Sequence, residues 1–123
     1  HQKKIATIKH LQNYIIGRTD VTMKLMNEST YVKMTPKEWN DIESLLDEID
    51  NNCISKIRTL HKNISADDIR LCIMVRLGMS NPAIGAIYGI TPSAVQHRKQ
   101  TLKKKVFGVS DPHLSLNDVI KSL

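Results

Sequence analysis

The sequence predicts an all-α fold. Three observations carry that reading. Apolar residues recur three and four apart through most of the chain, and strand-like alternation is nearly absent, with aromatics at only 4%. Helix-capping signatures also open one segment after another. A chain of 123 residues is expected to form one domain with an appended helix or arm. Its 41% hydrophobic and 24% charged residues match a folded globular protein rather than a disordered one. The longest apolar run, Leu71 to Val75, is far short of the ~20 residues a membrane span needs, and no signal-peptide pattern is seen.

Residues 2–28 place Ile5, Ile8, Leu11, Ile15 and Ile16, then Val21, Leu25 and Met26, at helical spacing. Gly17 weakens the middle, so either one kinked helix or two is expected. Such a stripe has to be buried, against the rest of the chain or against the same helix of a second copy. Asn27 to Lys33 reads as a linker. Thr35-Pro36-Lys37-Glu38 then forms a capping box with proline at the first helical position. Behind it Trp39, Ile42, Leu46, Ile49, Cys53, Ile57 and Leu60 predict one long amphipathic helix filling residues 35–63. Its outer face (Glu38, Asp41, Glu43, Asp47, Glu48, Asp50) is acidic and most simply solvated, which suits the helix dipole and not a nucleic acid.

Ser65-Ala66-Asp67-Asp68 opens the next helix, and Gly78 ends it after Leu77. Ser80 then caps a two-turn helix that stops at Gly89, where glycine takes positive φ without steric cost. Ile90 follows as a buried anchor, Thr91 caps a second helix, and Pro92 occupies its first position. Gly85 lets the two helices approach closely. Ile84, Tyr88, Ile90, Val95 and Leu102 supply their shared core. Two helices joined by so short a turn have the pattern of a helix-turn-helix, whose second helix can enter a major groove. Further on, Ser110-Asp111-Pro112 interrupts the chain, and Ser115-Leu116-Asn117-Asp118 caps a short terminal helix bearing Leu116, Val119, Ile120 and Leu123.

Charge is segregated along this chain. The net charge is +6, with a surplus of basic residues in 1–34 and 64–123 and of acidic ones in 35–63. Arg98, Lys99, Lys103, Lys104 and Lys105 follow one another with no acid between them. A basic helix alone is most simply a solvated surface, but here it follows the turn grammar of Gly85, Gly89, Ile90 and Val95. With Val95 facing the core, Leu102 and Val106 fall within about 20° of it at 100° per residue. Ser93, Gln96, His97, Gln100 and Lys104 then face outward. Glutamine pairs with an adenine edge, while serine and histidine offer single bonds, so Ser93, Gln96, His97 and Gln100 are the expected base contacts. Ser80, Asn81, Thr91, Arg98, Lys99, Lys103 and Lys104 are the expected phosphate contacts.

The two cysteines, Cys53 and Cys72, sit inside helical apolar patterns and read as buried, reduced thiols, the alternative being one disulfide that nothing in the spacing asks for. None of the five histidines pairs with a cysteine at zinc-like spacing. Glycine-rich phosphate loops and nucleophile motifs are absent, so no catalysis, metal or cofactor is expected, and no small-molecule ligand is evident.

Residues 64–107, from Ile64-Ser65-Ala66-Asp67-Asp68 through Ile84-Gly85, Gly89-Ile90-Thr91 and Val95 to Lys105, resemble the LuxR/GerE-type effector domain. The resemblance implies a four-helix unit over residues 64–123 that binds DNA through its third helix, about residues 92–105, its fourth helix often aiding dimerisation. Thr35-Pro36, Glu38-Trp39 and Arg70-Leu71-Cys72 further resemble C-terminal regions of Bacteroidetes regulators, which makes residues 1–34 a helical connector and a candidate dimerisation segment. The sequence departs from the family in placing Arg98 at the customary histidine position, His97 at an apolar one, and Gly85 where alanine is usual.

The expected function is therefore a dimeric, sequence-specific transcriptional regulator acting on double-stranded DNA, with RNA polymerase as a further candidate partner. Its expected place is the cytoplasm, free or as the cytoplasmic part of a larger membrane-anchored regulator. The alternative is a helical protein-interaction module that does not touch DNA.

Overall fold

Side-chain caps open five of the seven described helices. The computed structural model describes residues 2–26 and 34–123, the side chains of 15–26 excepted. Among these residues the chain forms seven helices and no strand: α1 (Gln2–Met26), α2 (Pro36–Ile49), α3 (Cys53–Leu60), α4 (Ala66–Arg76), α5 (Asn81–Tyr88), α6 (Pro92–Lys105) and α7 (Leu116–Lys121). Thr35, Ser65, Ser80, Thr91 and Ser115 each hold extended backbone and accept a hydrogen bond from the third residue beyond, satisfying an amide the helix leaves open. At α2 and α7 the bond is reciprocated by Glu38 and Asp118.

The backbone of α1 is helical without interruption through Gly17. The linker expected at Asn27–Lys33, and the apolar positions from Ile15 to Met26, lie outside what is described. Leu11 is buried and Ile8 packs on the core, so these two positions of the stripe are covered by the rest of the chain, while Ile5 stays 47% exposed. Gln12 further ties α1 to the carbonyl of Leu77.

The single helix expected over residues 35–63 is instead two. Asn51 and Asn52 adopt left-handed backbone, with φ of 53° and 58°, which asparagine tolerates better than most residues. Asp47 bridges the break, accepting from the amide of Ile54 at 2.8 Å and the hydroxyl of Ser55 at 2.6 Å. The apolar spacing hid this break because both helices bury their stripes in the same core: Trp39, Ile42 and Leu46 from α2, Cys53, Ile54 and Ile57 from α3.

The helix α4 is the centre of the fold. Ile69 and the run Leu71–Val75 are all buried, so it is covered on nearly every side. The terminal helix α7 folds back onto α4, α6 and α3, burying Leu116, Val119 and Ile120. Both thiols are free and buried. Burial, and for Cys53 also the carboxylates of Asp50 and Asp47, pushes each up to about 12, which makes them inert core groups. No described helix is long and apolar enough to cross a membrane.

Candidate nucleic-acid interface

The α5–α6 pair is built around a close contact. Gly89 ends α5 with φ of 69°, and only Ile90 and Thr91 separate it from the first residue of α6. A Cβ on Gly85 would lie 2.5 Å from the Ile90 carbonyl oxygen and 3.5 Å from Val95, so absence of a side chain sets how closely the turn folds over α5. Ile84, Val95 and Leu102 are buried in the core, while Tyr88 and Ile90 are half-buried against it.

On the outer side, Ser93, Gln96 and His97 are exposed, as the helical wheel predicted. The Nδ2 of Asn81 donates to Gln96 Oε1 at 3.1 Å, linking the start of α5 to this face. That bond leaves the amide group of Gln96 as an outward donor. Asn81 is half-buried, and its Oδ1 is buried with no hydrogen-bond partner. Ser80 and Thr91 are exposed, yet their side-chain oxygens already serve the amides of Ala83 and Ala94 at 3.3 and 3.1 Å. Their hydroxyl protons remain available to an acceptor.

Arg98 is half-buried, its guanidinium 4.6 Å over the ring of Tyr88. The Tyr88 hydroxyl donates to the Asp67 carbonyl at 2.9 Å, so Arg98, Tyr88 and the start of α4 form one stack. Burial holds the Tyr88 phenol above its ordinary range and keeps it a neutral donor. Lys104 and Lys105 are exposed at the far end of α6.

The other flank of α6 departs from expectation. Lys103, expected at a phosphate, is only 2% exposed. Its Nζ donates to the carbonyl oxygens of Asp111 and Leu114 at 2.9 and 2.8 Å. Gly108, with φ of 68°, turns the chain after α6, and the segment through Pro112 and Leu114 comes back to this flank. There it forms one wall of a groove of about 370 Å³, with Gln96, Lys99 and Gln100 on the opposite wall. Gln100 is consequently half-buried rather than fully outward, and burial holds the Lys99 amine below its ordinary range.

The two flanks therefore differ in character. What stays open is the ridge of Ser93, Gln96 and His97 with Lys104 and Lys105 beyond it. Residues 92–105 carry no carboxylate. On the open side Asp68 of α4 shares a groove with His97, Arg98 and Lys105. Among the described residues no group of histidine, cysteine and carboxylate side chains could hold a metal ion. Comparison with family models, curated proteins and solved structures returns no match to this chain.

Proposed function

We propose that this chain is the DNA-binding effector part of a transcriptional regulator, with α5 and α6 acting as a helix-turn-helix of LuxR/GerE type. One observation carries the reading: the N-terminal half of α6 exposes Ser93, Gln96 and His97 on a helix free of carboxylates. That is the part of such a helix that meets base edges, and a helix of roughly 10–12 Å diameter with its side chains fits a major groove of about 12 Å. Lys104, together with the hydroxyls of Ser80 and Thr91, serves the phosphates. Arg98 and Lys99 are set back on the flanks and reach the backbone only at the groove edges. Lys103 is withdrawn from the contact set, and Gln100 becomes secondary to Gln96.

A dimer on two half-sites is the assembly this function calls for. The α1–α2 side supports it, since Tyr14 and Leu45 are about two-fifths exposed beside an apolar groove of about 250 Å³. The same surface supports a second reading, a protein-docking module without DNA contact. Binding of random duplex DNA, followed by fluorescence anisotropy over a salt series, separates the two. DNA binding through phosphates weakens steeply as salt rises, by counterion release. An absence of duplex binding at low salt overturns the first reading in favour of the second.

A further inference from the structure

Away from α6, a second cationic centre is assembled from four different helices. Lys4 of α1, Lys56 of α3, Arg76 of α4 and Lys121 of α7 line one cleft of about 230 Å³ in which, among the described residues, Asp50 is the only acidic side chain. Asp50 is engaged on both sides. It lies 2.5 Å from Lys4 Nζ, and its two oxygens meet Arg76 at 2.5 and 3.1 Å. Arg76 is 12% exposed at its side chain, and its Nε makes no well-aligned hydrogen bond despite the carboxylate beside it. The side chains of Lys56 and Lys121 are exposed and form no hydrogen bond or ion pair with any described residue, Asp118 on the same helix acting on Lys121 only through its field.

Four cationic side chains round one carboxylate leave the described side chains of this cleft with a net charge of +3, a local field that favours an anion. We infer that the cleft is a binding site for a small phosphoanion, of the size of phosphate or pyrophosphate. Lys56 and Lys121 are its free donors, and the Asp50-held Lys4 and Arg76 form the fixed wall. An occupant would bridge α1 to α3 and α7, and so fasten α1, the helix read as the connector, to the rest of the domain. The inference does not rest on the DNA reading, and its test involves no DNA.

Titration calorimetry with inorganic pyrophosphate at constant ionic strength, on the whole chain, is the experiment. Saturable one-site binding is expected, with a rise in the thermal midpoint. In the double variant Lys56→Ala/Lys121→Ala, loss of two charged donors should weaken binding by about 100-fold. Both residues are exposed, so the unliganded midpoint should stay near that of the native chain. The double variant Lys104→Ala/Lys105→Ala, on α6, should bind pyrophosphate as the native chain does. Heats that do not saturate would overturn the proposal. So would binding that survives Lys56→Ala/Lys121→Ala, or binding lost instead with Lys104 and Lys105.

Discussion

The Ile90 carbonyl oxygen occupies the place that a side chain on Gly85 would need, 2.5 Å from where its Cβ would stand. The neighbour is backbone, held by the turn and by the Ile90 amide, which donates to the Gly85 carbonyl at 3.0 Å. It cannot swing aside as a flexible side chain would. Gly85→Ala gains helix propensity of up to about 1 kcal/mol. Against that, overpacking of a tight contact costs about 1–3 kcal/mol. Net destabilisation of about 1–2 kcal/mol is expected from urea unfolding. Unchanged or raised stability would mean that α5 and α6 sit further apart than described.

Lys103 is the residue whose role changes most between sequence and structure. Its two bonds to the Asp111 and Leu114 carbonyls hold the returning segment to α6. Lys103→Met keeps the apolar stem and loses both bonds, so a loss of about 2 kcal/mol is expected by denaturant unfolding. Hydrogen exchange should quicken around residues 109–115. If DNA is bound as proposed, the salt dependence of binding should not change, because this ammonium faces its own chain. A reduced salt slope with unaltered stability would restore it to the phosphate contacts.

Local chemistry was legible here, and long-range chemistry was not. Serine or threonine three residues ahead of a helical amide is a local signal, and the five caps at Thr35, Ser65, Ser80, Thr91 and Ser115 stand where it put them. The Gly85–Gly89–Val95 spacing likewise gave the α5–α6 turn. The outward face of α6 follows from helical geometry alone. At 100° per residue, Lys99, Lys103 and Gln100 lie about 40°, 80° and 140° round from Val95, all on one flank. Nothing within the helix reveals that a later segment covers that flank. The break at Asn51-Asn52 escaped because apolar residues kept helical spacing across it. Lys4, Asp50 and Arg76 are far apart in sequence, and only the packed helices bring them together.

Within α6 the exposed ridge divides by position. Gln96 stands near the start of the helix and Lys104 near its end, so the two should fail differently. Gln96→Ala is expected to cost about 1–3 kcal/mol at one base position and little on random DNA. Lys104→Ala should weaken all sequences about equally and lower the salt slope by about one. Competition binding across single-base variants of a selected site separates these outcomes. Identical behaviour of the two variants would count against the assigned roles.

The Asp50 carboxylate is burdened by burial, which alone would raise its pKa, but its bonds to Arg76 and Lys4 outweigh this and hold it below the ordinary 3.8. A group whose folded value is depressed contributes stability at higher pH and loses it on acidification. The contribution of Asp50 is therefore whole well above 3.8 and disappears as the pH falls below that value and through the lower folded one. Asp50→Asn removes the charge and leaves Arg76 largely buried without a counter-ion, a loss of about 3 kcal/mol near neutral pH. Asp118, capped onto Ser115, is depressed in the same direction, and it titrates alike in both proteins. Urea unfolding of the native chain and Asp50→Asn should therefore give stability curves that converge as the pH drops below 3.8. Curves that run parallel into acid would mean that the Asp50 charge contributes nothing to holding α1 and α4 together.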